Sequence, residues 1–302
     1  MTQTRALALV LMAVAGCSHS PAGGTGQPGP SLTMASPSFT LKPGEEMFKC
    51  WYTSLATASD IQAVRMHSTM SLGSHHFIVY TTKTPLRPDG TFEDCGNNQG
   101  GPSLTNTPVW LYATQDPEAE LLMPSGTALP LKANQPLYFN MHYINATSSD
   151  MTVSVKLDLD SAIGSYQRVG AYVTYNTQIS IPPGGQQTVM GNCDVPAGAQ
   201  FFTMSTHSHK RTVDALATRS TGEMLVHTTD WAHAAIGRWG APGFLTFGPN
   251  EQLHYQCSYQ NDSTNTITEG ESAEKNEMCM AVGYYFPAVG DTFCLNSSIF
   301  SF

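Results

Sequence analysis

Charge is scarce in this chain. Only 12% of the 302 residues are Asp, Glu, Lys or Arg, and basic residues number 14 against 23 acidic ones. A formal net charge of −9 leaves no positive footprint for a phosphate backbone, so nucleic acid is excluded as a partner. Long apolar runs are also lacking. No stretch beyond residue 16 approaches the ~20 uncharged apolar residues of a membrane-spanning helix. Extended helical periodicity is missing as well. Low charge here does not mean disorder, because 41% of the residues are hydrophobic and a core is within reach.

What is plentiful is turn chemistry, with 26 glycines and 19 prolines. Between the turn clusters lie short segments that alternate apolar and polar residues. Met151–Leu159 alternates, and Leu137–Tyr143 puts Leu137, Phe139, Met141 and Tyr143 on one face. Further strands are expected at Met47–Thr53, Ile61–Met70, Phe77–Thr82, Val109–Ala113, Val169–Tyr175, Phe201–His207, Leu253–Tyr259 and Met278–Phe286. Many short strands with turn-rich joints imply an all-β protein of packed sandwiches.

The first 16 residues read as an export signal. Arg5 precedes the uncharged run Ala6–Gly16, which ends in Val14-Ala15-Gly16-Cys17, a sequence resembling a bacterial lipobox. Cys17 is then the expected lipidation site. Residues 17–37, rich in small residues and proline, are expected to be a flexible tether that includes an inert His19. The expected location is therefore outside the cytoplasm, held to a membrane by lipid alone. Ser18, in place of an inner-membrane retention aspartate, favours an outer membrane facing the periplasm or the cell surface. Two domains are expected beyond the tether, at 38–162 and 163–302. Of seven cysteines, removing Cys17 leaves six, an even number suited to three disulfides in an exported chain. Six cysteines allow fifteen connectivities, and spacing does not choose among them. The long gap from Cys95 to Cys193 hints at two separately stapled halves.

The chemistry concentrates in histidines. His207 and His209 are two apart, so a strand presents both on one face, where they can chelate one ion. His75 and His76 are adjacent and would diverge in a regular strand. A bulge or strand end would let them converge, and Gly73 makes that feasible. His142 lies in Asn140-Met-His-Tyr143. His67, His227, His233 and His254 read as structural or surface residues.

Four motifs, in order, carry a resemblance: His75-His76, His142-Tyr143, Thr206-His-Ser-His209 and Asn276-Glu-Met-Cys279. Together they resemble the copper type II, ascorbate-dependent monooxygenases, over about Phe39 to the C-terminus. The resemblance implies two tandem jelly-roll-like antiparallel β-sandwiches with copper sites facing an interdomain cleft. It implies one copper on His75, His76 and His142, and a second, reacting copper on His207, His209 and Met278. Imidazole suits copper and a thioether favours its reduced state. Met280 shares the strand face of Met278 and stays open as the sulfur ligand. Zinc stays open at the all-histidine site. The disulfides implied are Cys50–Cys95, Cys193–Cys294 and Cys257–Cys279.

The function implied is hydroxylation of a substrate C–H bond with O2 and a reductant such as ascorbate. The His75/His76/His142 copper would supply the second electron. The alternatives are a periplasmic copper-binding or copper-sequestering lipoprotein, or a β-sandwich scaffold with a relict site. Peptide-hydroxylating members of the family carry an arginine before the histidine pair, and an asparagine and a tyrosine after the Met-Cys motif. Ser205, Met280 and Val282 stand at those positions here. A small, neutral and fairly apolar substrate, aromatic for instance, is therefore expected; were a charge to replace the missing anchors, Arg211 would be a better source than Lys210, which points away from the face of the histidine pair.

Overall fold

The computed structural model describes residues 27–95 and 108–301. Cys17, the leader and His19 lie outside them. Among the described residues there is no helix; all regular structure is strand. None of the described segments is a helix long and apolar enough to cross a membrane.

Residues 27–168 build two large sheets. One runs Phe92–Asp94, Glu46–Ser54, Pro136–Ile144, Ser74–Thr81, Val109–Thr114. The other runs Gln27–Ala35, Val155–Ile163, Ile61–Met70, Thr127–Leu131, Gln167–Arg168, with Glu118–Leu122 also paired to Ile61–Met70. Residues 170–301 build a sheet in the order Ile236–Arg238, Gln200–Ser208, Cys279–Phe286, Gly170–Tyr175, Thr292–Leu295, Ser298–Ser301. A four-stranded sheet faces it, in the order Gln186–Asp194, Gln252–Gln260, Thr212–Arg219, Met224–Thr228.

Alternation decides what each strand buries. Leu137, Phe139, Met141 and Tyr143 all enter the first core, which leaves Asn140 and His142 on the opposite face of the same strand. That first core also takes in Ala171, Val173, Phe202, Met278, Met280 and Tyr284, so apolar packing is continuous between the two parts of the chain. A second core fills the space between the sheets of residues 170–301.

One expectation is corrected. Part of the supposed tether, Gln27–Ala35, is an edge strand paired antiparallel with Val155–Ile163. Leu32 and Met34 pack against the first core, while Ser31 and Thr33 donate hydrogen bonds to Asp160 and Asp158 at 2.7 Å each. Small polar residues had hidden a two-residue alternation. A smaller difference concerns Met151–Leu159, which divides into Met151–Val153 and Val155–Ile163, each pairing with a different strand.

The three disulfides are Cys50–Cys95, Cys193–Cys294 and Cys257–Cys279. The first joins the Glu46–Ser54 strand to the end of its neighbour Phe92–Asp94. The other two each tie the four-stranded sheet to the sheet that faces it.

Where the two parts of the chain meet, the Asp291 carboxylate accepts the Ala171 N–H at 2.6 Å, with the Arg168 guanidinium 3.7 Å away. Burial pushes its pKa up to about 6, against the pull of that N–H and of Arg168. A carboxyl whose folded pKa exceeds its unfolded value binds its proton more tightly when folded. Its contribution to stability therefore grows as pH falls through about 6 towards ~4. In thermal melts between about pH 7 and pH 5, the wild-type Tm should gain on that of Asp291→Asn as the buffer is acidified. A pH-independent gap between the two would remove Asp291 from this role.

Candidate metal centre

Five histidines from distant parts of the chain come together. His75 and His76 reach the centre through a bulge in the Ser74–Thr81 strand: His142 pairs with His76, yet Tyr143 pairs with Ser74, so His75 is the extra residue. Gly73 enters this bulge at φ 84°, and a Cβ there would lie 2.9 Å from the Ile144 carbonyl. The adjacent imidazoles thereby converge, with ring centroids 5.3 Å apart. His142 closes on both, at 4.8 Å from His75 and 4.9 Å from His76.

His207 and His209 come from the end of the Gln200–Ser208 strand, 5.4 Å apart. They meet the other three directly. His207 lies 5.6 Å from His75 and 5.4 Å from His76, and His209 lies 5.6 Å from His75. Among the described residues, His75, His76 and His207 bring ring nitrogens within 4.8 Å of one another, a set that mixes the two ligand sets implied by the sequence. Across the sheet, Met280 lies opposite His207 and Cys279 opposite Ser208. Continuing that register sets Met278 opposite His209, so both methionines share the side of the histidine pair. Both are buried.

The hydrogen bonding of these rings is unlike that of core histidines. In three of the five, one nitrogen is held and the other is left bare. His142 Nε2–H donates to Glu46 Oε1 at 2.8 Å, His76 Nε2–H to Asn140 Oδ1 at 3.3 Å, and His209 Nδ1–H to the Asn276 carbonyl at 3.2 Å. The opposite nitrogens, His142 Nδ1, His76 Nδ1 and His209 Nε2, are buried without a partner, as is His75 Nε2. A buried polar atom without a partner costs about 1–3 kcal/mol, and four of them in one cluster require something to accept their lone pairs. A metal ion does so, and the hydrogen bond on the far nitrogen is what selects the tautomer. These residues fit a copper ion: neutral imidazoles with free lone pairs, and thioethers on the adjoining strand.

Electrostatics favours the same state. Burial, and then the neighbouring imidazoles, push the pKa values of His75, His76 and His209 well below the usual value, and burial brings His207 down to about 4. His142 is also lowered by burial, although Glu46 opposes the shift. At neutral pH all five present neutral rings. For Glu46, burial would raise the pKa, but hydrogen bonds from His142, Ser272 and Ala273 outweigh it and hold the carboxylate below its usual range.

His76 and His207 also line the end of a cavity of about 750 Å³, walled by residues of both parts of the chain, among them Trp110, Phe202, Trp239 and Tyr284. Ser205 and Val282 line it; Met280 and Arg211 do not. Arg211 is therefore no replacement charge for a substrate. Its guanidinium is buried against the Glu274 carbonyl at 2.9 Å, and Lys210 is ion-paired to Glu274. His67, His227 and His233 sit beside surface carboxylates, away from the cluster.

Several supporting residues escaped the sequence reading. Glu46 had no signal at all. Trp231 makes an edge contact with His75 at 5.2 Å, and Phe48 stacks on His142 at 3.8 Å. Glu277 is buried between the Met-Cys motif and the histidine pair, where it accepts the N–H groups of His209 and Arg211 at 3.0 and 2.7 Å. Asn140 was legible in hindsight, because it lies two residues before His142 and so on its face.

Residues 169–300 match the family model of the copper type II ascorbate-dependent monooxygenase C-terminal domain. The resemblance read from the motifs is thus shown for that part of the chain. No curated protein matches the sequence. Among solved structures, the crystal structure of the STIV MCP is similar at TM-score 0.37 and 9% identity, covering 85% of this chain and 97% of that one. The major capsid protein P2 from bacteriophage PM2 is similar at TM-score 0.35 and 6% identity, covering 84% and 97%. Neither likeness is close enough to bear on function.

The Glu46 contact is directly testable. Replacing it by alanine frees His142 to change tautomer and removes an anchor for Ser272 and Ala273. Glu46→Ala should weaken copper binding by about 10–100-fold in a chelator competition titration. Unchanged affinity would show that His142 needs no such hold.

Proposed function

We propose that the protein is a copper-dependent monooxygenase that hydroxylates a C–H bond of a small organic molecule, with O2 and a reductant such as ascorbate. The observation that carries this reading is the convergence of five neutral histidines, four of them with a bare buried nitrogen, beside an aromatic-walled cavity that His76 and His207 line. The overall conversion balances as C–H plus O2, two electrons and two protons to C–OH and water, with the reductant supplying both electrons. Copper, when bound, supplies the one-electron redox change and the activation of O2.

The chain supplies geometry and a dry environment. In the two-ion arrangement, one copper belongs to His75, His76 and His142 and the second to His207, His209 and Met278, each set contributed by one of two domains divided near residue 163. The hydrogen bonds of Glu46, Asn140 and the Asn276 carbonyl fix which nitrogen of His142, His76 and His209 faces inward. Apolar walls strip water from a bound substrate and point it at the His76/His207 end. We also propose that Cys17 carries a lipid and holds the exported protein at an outer membrane, on the strength of the Val14-Ala15-Gly16-Cys17 sequence.

Metal analysis of copper-loaded protein tests the centre. Two ions per chain are expected, with His142→Ala losing one and His207→Ala the other. A single ion lost equally in His76→Ala and His207→Ala would put one copper on the mixed triad. Stoichiometric zinc would sink the copper reading. Met278→Leu should abolish reductant-dependent O2 uptake with substrate at a stability cost under ~1.5 kcal/mol. If Met280→Leu does so instead, Met280 is the sulfur ligand. Copper bound without any substrate-dependent O2 uptake across a metabolite panel would leave a copper-holding protein. Fractionation of cells expressing Cys17→Ala should find the protein released from membranes.

A further inference from the structure

The cavity has two chemically different ends, and the sheet register says how far apart they are. In the central strand Gln200–Ser208, His207 lies opposite Met280, Ser205 lies between Ile236 and Val282, and Thr203 lies between Arg238 and Tyr284. Directly paired residues project to the same side of a sheet, and so do residues two apart along a strand. All six residues of the second and third rungs line the cavity, as does His207. The face therefore reads, from the histidines outward, as metal ligand, then an apolar rung with one hydroxyl, then a polar rung of guanidinium, hydroxyl and phenol. His207 and Thr203 are four positions apart, about 13 Å along the strand.

Among the described residues, no acceptor engages the donors of the polar rung: the exposed Arg238 has neither hydrogen bond nor ion pair, and the Tyr284 oxygen is approached by the Ala113 N–H. Arg238 is the one cation lining the cavity among the described residues. The Tyr284 hydroxyl is buried, and its proton has no acceptor. The opposite wall sets a direction. Glu118 and Glu120 line it too, but each already has a partner, His67 at 3.2 Å and Arg65 respectively. Asp116 remains, just past Thr114, which pairs with Phe77 beside His76. A carboxylate thus stands at the metal end and a guanidinium at the far end. An anionic group is repelled from the first and held by the second.

We propose that Arg238, Thr203 and Tyr284 form a head-group anchor, and that the substrate is an elongated aryl-alkyl carboxylic acid. Its carboxylate sits on that rung and its oxidisable C–H lies at the His76/His207 end. The neutral substrate expected from Ser205, Met280 and Val282 then describes the body of the molecule only. The charge comes from a neighbouring strand, Ile236–Arg238, whose pairing with the central strand places it two rungs away. This rests on the metal reading for its direction, but the anchor itself is separable from it.

The test is binding to the metal-free full chain, read by quenching of the cavity tryptophans Trp110 and Trp239. The probes are phenylpropanoate, phenylpentanoate and phenyloctanoate, each against its uncharged amide. At least one acid should bind roughly tenfold more tightly than its amide. Arg238→Gln should erase that preference by weakening the acid far more than the amide, and Arg238→Lys should restore part of it. Tyr284→Phe should weaken the acid several-fold. No acid binding better than its amide, or a preference that survives Arg238→Gln, would overturn the proposal. Because no copper is present, these outcomes leave the metal reading to be judged separately by copper content and O2 uptake.

Discussion

The Glu46 carboxylate holds two distant parts of the chain at once. One oxygen accepts His142 Nε2–H and the Ala273 N–H, and the other accepts the Ser272 hydroxyl at 2.7 Å. His142 belongs to the strand that also positions Asn140, and through it His76. Ser272 and Ala273 open the segment that runs to Asn276, Glu277 and Met278. A ring orientation on one side and a backbone position on the other are thus set by one group. Burying a carboxylate is costly unless its lone pairs are filled, and here all three donors are in place.

That contact also explains why the histidines of both parts form one cluster. Apolar packing is continuous from Leu137 and Phe139 through Met278, Met280 and Tyr284. Such packing fixes the approach of the sheets but not the rotation of individual rings. The hydrogen bonds of Glu46, Asn140 and the Asn276 carbonyl supply that rotation. The remaining bare nitrogens therefore face inward together, where a metal rather than a protein group can meet them.

Much of this was legible in the sequence, and the failures have physical reasons. Strict alternation in Leu137–Tyr143 announced both the core face and, by subtraction, the face of His142. The two-residue spacing of His207 and His209 needed no further help. Gly73 pointed to the bulge that brings His75 and His76 together, because a positive φ next to a strand has few other uses. Glu46 was not legible: its partners lie far from it in the chain, and no local pattern marks a residue whose importance comes from tertiary proximity. Arg211 misled for the same reason in reverse. It sits beside the histidine pair in sequence, yet its side chain turns to Glu274, whereas Arg238, on another strand, faces the cavity. Gln27–Ala35 was missed because Ser31 and Thr33, which look like linker residues, fill their hydrogen bonds with Asp160 and Asp158.

The bond between Cys257 and Cys279 has a consequence for how the centre comes into being. Cys279 is the residue after Met278 and pairs with Ser208, between the two histidines of the second set. It is fastened to the opposite sheet, so the thioether and the imidazole pair are clamped from behind by an oxidised sulfur. In the proposed copper reading, metal loading is therefore downstream of thiol chemistry. A chain kept in a reducing compartment would offer free thiolates as competing soft ligands for Cu(I), at the very position meant to hold the strand still. Oxidation removes those competitors and sets the strand in one event, making the compartment itself a determinant of which ligands the metal finds.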